Sequence, residues 1–321
     1  MASNPADHKR AFLGAMFGAA VTGLIGFAFS RTADPGNLYG EAVFCGLPLL
    51  TGCAGSLILG PQHPPTVKDA CFVGLYSYLI VCAGLVCCAQ EGVVCLLMAA
   101  PLAIPLCMLG AIVGAGILTW VNQKFLMRST LAVVPLLPLS LFMAAHQTHA
   151  PAVRTESTTI VIDAPPSKVW PLLFNMDSDQ QPLWALFRMG IAYPKGTRSD
   201  GLKVGSSRHC LLSTGVMNEV ITDLVPNQLF RFRILNTPPT MHEWNPFFQI
   251  DTRHLSGYMH CRYGEFRLRA LPGGKTELTG LSEYDQEIYP ALYWFLWSDS
   301  VVEQVHQRAM GGIKAAAESR P

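Results

Sequence analysis

The chain has 321 residues, 50% of them hydrophobic and only 14% charged, with a formal net charge of +1. Ordinary soluble domains carry about 25% charged residues, so part of this chain is built for a solvent other than water. The near-zero charge leaves no basic footprint and excludes nucleic acid as a partner.

The charge is unevenly divided: residues 1–150 hold six Lys/Arg and five Asp/Glu, whereas residues 151–321 hold seventeen of each. The first half therefore reads as membrane-like. Lys9 and Arg10 precede an uncharged run, 11–29, long enough to span a bilayer. Further apolar runs follow at 42–59, 70–89, 93–120 and 131–145, giving a transmembrane region 1–148 with about five spans. The fourth contains Pro101 and Pro105, and the short fifth contains Pro135 and Pro138; a bundle tolerates such interruptions. Gly14, Gly18, Gly110 and Gly114 supply the small side chains that let spans approach closely. No span carries an ionisable residue at mid-depth, which argues for an anchor rather than an ion-coupled conduit.

Lys9, Arg10, Lys68, Lys124 and Arg128 fall on one side of this arrangement and Arg31 on the other. The rule that basic loops stay in the cytoplasm puts the N-terminus inside. With five spans, residues 151–321 are extracytoplasmic; with four they are cytoplasmic. Eight of the ten cysteines lie in the apolar half without a C-x-x-C pair, and read as small apolar packing residues. Cys210 and Cys261 lie in the other half, their redox state open. Residues 149–157 read as a linker, which His146 and His149 precede or join without forming a metal site.

The second half alternates in the manner of strands. A strand is expected at 158–163, a short helix at 168–176 behind an N-cap at Ser167, and a second at 183–189. A polar stretch, 194–205, leads to strands at 206–213, 217–224 and 229–235. In the last, Phe230, Phe232 and Ile234 share one face, with Arg231 and Arg233 on the other. The segment 236–256 holds Trp244, Phe247 and Phe248 among three prolines. Irregular segments of this length serve as lids or binding loops, and exposed aromatics beside an anchor also suit a membrane interface; both readings stand. Strands at 260–271 and 276–285 are joined by Pro272-Gly273-Gly274, a hairpin signal. A long helix, 289–317, ends the series. Its inner stripe carries Phe295, Val302, Ala309 and Ile313, together with two polar residues, Asp299 and His306.

This order is the helix-grip arrangement. TTIVIDAPPSKVW, VITDLVPNQLFRFRI and LPGGKTELTGLSEYD resemble the opening, middle strands and last hairpin of START-like (SRPBCC) domains. The branch they resemble is that of polyketide cyclase/dehydrase and lipid transport proteins, over about residues 156–318. The fold expected is an N-terminal α-helical transmembrane bundle followed by a C-terminal α+β helix-grip domain, 158–318, in which a curved antiparallel sheet surrounds a long C-terminal helix. The pairing resembles bacterial inner-membrane members of the group.

What the resemblance implies is a cavity for a lipid or another hydrophobic small molecule between sheet and helix. The residues expected to line it are Arg208, His209, Glu219, Trp244, Tyr284, Phe295, Asp299, Val302 and His306. Asp299 and His306, polar on an inward face, need partners. They can fix the helix to the sheet, orient a ligand, or act as acid and base in a cyclase- or dehydratase-like enzyme. A third reading is a non-catalytic interaction module. His242 with Glu243, and Asp251 with His254, lack zinc spacing, and no phosphate loop or G-x-S-x-G elbow is present. No metal or cofactor is expected. The partners expected are a lipid or hydrophobic small molecule and the bilayer, with the ligand's identity and the oligomeric state open.

Overall fold

The computed structural model describes residues 5–32, 40–60, 64–120, 152–178, 181–248, 250 and 257–319. The chain forms two compact units. The expected fifth span, and the second part of the 236–256 segment except residue 250, lie outside the described residues.

The first unit is helical. It contains α1 (Pro5–Thr32), a π-helical turn (Ala42–Gly46) continuing into α2 (Leu47–Leu57), α3 (Val67–Cys87) and α4 (Val93–Trp120). Asn245–Phe248 and Ile288–Tyr293 belong to it as well. A reciprocal cap starts α3: the Thr66 hydroxyl accepts from the Asp69 N–H, and the Asp69 carboxylate accepts from the Thr66 N–H. The helices approach backbone to backbone. A Cβ added at Gly52 would collide with the Cys107 carbonyl oxygen, and one at Gly110 with that of Leu49. Among the described residues α3 and α4 are long and apolar enough to cross a membrane; the helix Ala42–Leu57 is apolar but shorter.

The second unit is a curled antiparallel sheet with a C-terminal helix, a helix-grip architecture. Its strands are β1 (Ala152–Ile162), β2 (Met176–Asp177), β3 (Pro194–Ser199), β4 (Ser207–Leu212), β5 (Gly215–Val225), β6 (Leu229–Ile234), β7 (Met259–Leu271) and β8 (Lys275–Gln286). Short helical pieces, α5 (Pro166–Val169) and α6 (Ala185–Arg188), lie between the early strands. A 3-10 turn, Trp170–Leu173, continues α5. The helix α7 (Ala291–Glu318) begins just after Pro290; its residues from Trp294 onward belong to this unit.

Strand order is β1-β8-β7-β6-β5-β4-β3-β2. Three expectations change here. β1 begins at Ala152, so the residues read as the end of a linker are strand, paired with β8 from Ala152↔Gln286 onward. The polar stretch at 194–205 contains β3. The expected cap Ser167 is not one: Pro165 holds that position, with no side-chain bond.

The core lies on the concave face. Ile162, Ile221, Phe230, Phe232, Phe266 and Leu278 from the sheet pack with Ala309, Met310, Ile313 and Ala317 of α7. An added Cβ at Gly280 would be 3.2 Å from the Met310 sulfur, so the second half of α7 sits directly on the strands. The buried Arg308 guanidinium donates to the Pro194 carbonyl oxygen at 2.8 Å, fastening the helix to the start of β3.

Candidate functional site

Strand alternation decides which polar side chains face the core. On β5, Glu219 and Ile221 share a face, and Ile221 is a core residue. Opposite it on β4, Arg208 stands against Glu219. Arg208 and Glu219 are 3% and 1% exposed and form a direct ion pair. The guanidinium lies over the Phe232 ring at 4.3 Å and the Phe230 ring at 5.4 Å, which adds a cation–π attraction where water is excluded. Burial raises the Glu219 carboxyl above its ordinary range, outweighing the lowering effect of Arg208. Two atoms of the pair, Arg208 Nε and Glu219 Oε1, have no hydrogen-bond partner among the described residues.

Cys210 lies two residues along β4 on the same face and is buried; Cys261 on β7 is partly buried, and both thiols are free. Burial pushes each up to about 12, so both stay protonated and poorly nucleophilic at neutral pH.

His209 is not part of this cluster. A residue adjacent to an inward one points outward, and His209 bonds Asn218 at 2.8 Å and Asp200 at 3.4 Å on the other face. Trp244, expected to line the cavity, is 55% exposed.

Asp299 and His306 occupy separate networks. The Tyr284 hydroxyl donates to Asp299 Oδ1 at 2.5 Å, and the Arg154 guanidinium to Asp299 Oδ2 at 2.8 Å. Arg154 also lies 4.9 Å from the centre of the Phe295 ring. Tyr284 is fully buried, and burial together with Asp299 raises its hydroxyl's pKa. His306 is buried among other groups: Nδ1 meets the Thr158 hydroxyl at 3.1 Å and Nε2 the Ser282 hydroxyl at 2.8 Å. Burial lowers its pKa to about 4, so the ring is neutral. Seven residues separate the two positions, about 10 Å along a helix. The geometry joins β1, β8 and α7; it does not pair Asp299 with His306 as an acid–base couple. Val302 is buried on the same stripe.

The sequence reading missed Arg154, Thr158 and Ser282. Thr158 was legible in principle: it lies at i, i+2, i+4 with Ile160 and Ile162, a polar residue on an apolar strand face. Arg154 was hidden by the late start assigned to the strand.

Among the described residues, grooves of about 500 Å³ and 330 Å³ lie on the second unit. The first lies along the ends of β7 and β8, at Arg267, Arg269 and Glu277; the second is lined by Trp170, Phe174, Leu202 and Leu224 among others. None of the residues expected to bind ligand lines either groove. The expected hollow along the helix is closed over its second half, where Met310 and Ile313 fill the space.

No protein-family model matches the chain, and no curated protein does. Solved structures similar to about half of it include the Zhui aromatase/cyclase from Streptomyces sp. R1128, with 16% identity, 53% of this chain and 96% of that chain covered, and a TM-score of 0.35. Truncated norcoclaurine synthase from Thalictrum flavum aligns at 7% identity, covering 55% and 99%, with a TM-score of 0.35. A protein from Nitrosospira multiformis aligns at 17% identity, covering 52% and 97%, with a TM-score of 0.34. Likeness at this level assigns neither activity nor ligand.

Proposed function

We propose that the chain is a membrane-anchored binding protein whose helix-grip unit takes a lipid or another hydrophobic small molecule bearing one polar group. The observation that carries this is the buried Arg208–Glu219 pair with an orphaned donor and an orphaned acceptor. Unpartnered buried groups of this kind cost about 1–3 kcal/mol each, more when charged. A hydroxyl both accepts and donates, so a ligand hydroxyl has the chemistry to meet either orphan. Phe230 and Phe232 supply an apolar wall next to it.

The anchor is supported by where the apolar residues of α3 and α4 lie. Only 22% and 28% of their most apolar windows are buried inside the protein, unlike the core helices of a water-soluble fold. Leu79, Leu97, Leu109 and Val113 are about half exposed, an arrangement suited to lipid.

A second reading, a non-catalytic interaction module, is favoured by the close packing of Met310 against Gly280. One experiment separates the two. The full chain, and the double variant Arg208→Met/Glu219→Leu, are purified from the same membrane and their bound lipids are identified by mass spectrometry. Binding predicts one molecular class, near one per chain, that the double variant loses. Identical profiles, both matching the bulk membrane, overturn it.

A further inference from the structure

A built turn holds two phenylalanines out of the first unit. Asn245 is buried, and its side-chain amide donates to the Val86 carbonyl oxygen at 2.9 Å and to that of Glu91 at 3.4 Å. Val86 is in the last turn of α3, and Glu91 lies between α3 and α4. The side-chain oxygen of Asn245, Oδ1, accepts the backbone N–H groups of Phe247 at 2.9 Å and Phe248 at 3.2 Å. One side of the turn is thus fixed to the end of an apolar helix. The other side presents Phe247, 65% exposed, and Phe248, 49% exposed. The second segment of this unit does the same with a leucine: the Tyr293 hydroxyl donates to the Met98 carbonyl oxygen of α4, and the neighbouring Leu292 is 84% exposed. Neither Asn245–Phe248 nor Ile288–Tyr293 contains a charged residue.

We propose that Phe247, Phe248 and Leu292 form a contact patch that seats in the interfacial zone of a lipid bilayer, beside the end of α3. The inference rests on the reading of α3 and α4 as membrane spans. A spanning α3 leaves the hydrocarbon near Cys87, and the Asn245 bond to Val86 puts the turn at that depth. Large apolar side chains on uncharged backbone, fixed rather than collapsed, suit a boundary where one side is apolar and the other wet.

The test uses the full chain reconstituted in phosphatidylcholine vesicles, with and without bromine on the acyl chains. Phe247→Trp, Phe248→Trp and Leu292→Trp each add one indole at the patch; Val204→Trp adds one at an exposed site of the second unit. The expected result is at least twofold bromine quenching of the added fluorescence at the three patch positions and none at Val204. Carbonate washing of the same vesicles reports the anchor separately. A chain that resists carbonate but shows no quenching at the patch, or equal quenching at all four positions, overturns the patch and leaves the anchor standing. A chain that washes off overturns both.

Discussion

Burial decides what His306 contributes. Its ordinary value of 6.5 falls to about 4 in the folded chain because the charged ring would lose its hydration. The unfolded chain therefore binds more protons between those values, and stability rises with pH across that window. The contribution is complete above 6.5 and lost as pH falls through 4, a difference on the order of 3 kcal/mol. Glu219 acts with the opposite sign, since a raised carboxyl favours the folded state at low pH. His306→Gln isolates the histidine: its denaturation midpoint is expected to fall less than the parent's as pH drops from 6.5 to 4, measured in urea at each pH. The buried ion pair gives a second prediction. Arg208→Met alone leaves a buried carboxylate uncompensated, at about 3–5 kcal/mol. Adding Glu219→Leu is expected to restore most of that loss, because two apolar side chains against Phe230 and Phe232 need no partner. Equal destabilisation in the single and double variants, by thermal denaturation, would remove the argument. Sequence reading picked out Arg208, Glu219, Asp299 and His306 but placed His209 beside Arg208, which a two-residue strand period forbids.

Elements in the first unit are held by the absence of side chains. Where Gly52 faces Cys107 and Gly110 faces Leu49, a methyl group would overlap a carbonyl oxygen, so the helices would have to part. Gly52→Val is expected to lower stability in detergent by about 1–3 kcal/mol or more. Gly84→Ala, with nothing within 4 Å of the added carbon, is expected to be neutral or slightly stabilising. Melting monitored by tryptophan fluorescence distinguishes them. The density of glycines was visible in the sequence; which pairs meet depends on helix register and was not. In the second unit the hairpin β7–β8 and the alternation of β6 were legible because each carries a local signal, a Pro-Gly-Gly turn or a strict apolar period. β3 was not. PKGTRS is polar, and it is a strand because its backbone pairs with β4 and its Gly196 admits the Met176 carbonyl oxygen. The early start of β1 was missed for a similar reason: Arg154 and Glu156 are outward or rim residues whose strand state is set by β8 across the ladder.

At the scale of the whole molecule, two compositions meet in one chain, and the chain divides into two compact units close to where they meet. The division at about residue 150 was legible because charge per residue changes there; the side of the membrane on which the second half lies depends on an even or odd number of spans. Helix α3, at about 1.5 Å per residue, is about 31 Å long, close to the hydrocarbon thickness of about 30 Å. Helix α4 exceeds that thickness and would cross with tilt. Lys9, Arg10 and Lys68 retain the cytoplasmic side by the basic-loop rule. If α3 and α4 span a membrane, the rule predicts the start of α1 and the loop before α3 inside and the turn between α3 and α4 outside. A crossing by α4 would then return the chain to the cytoplasm, the side the rule predicts for a sequence carrying Lys124 and Arg128. If residues 131–145 cross again, alkaline phosphatase fused after Pro321 is expected to be active in a bacterial host, and a green fluorescent protein at the same position dark. The reverse pattern would show that the run containing Pro135 and Pro138 does not cross.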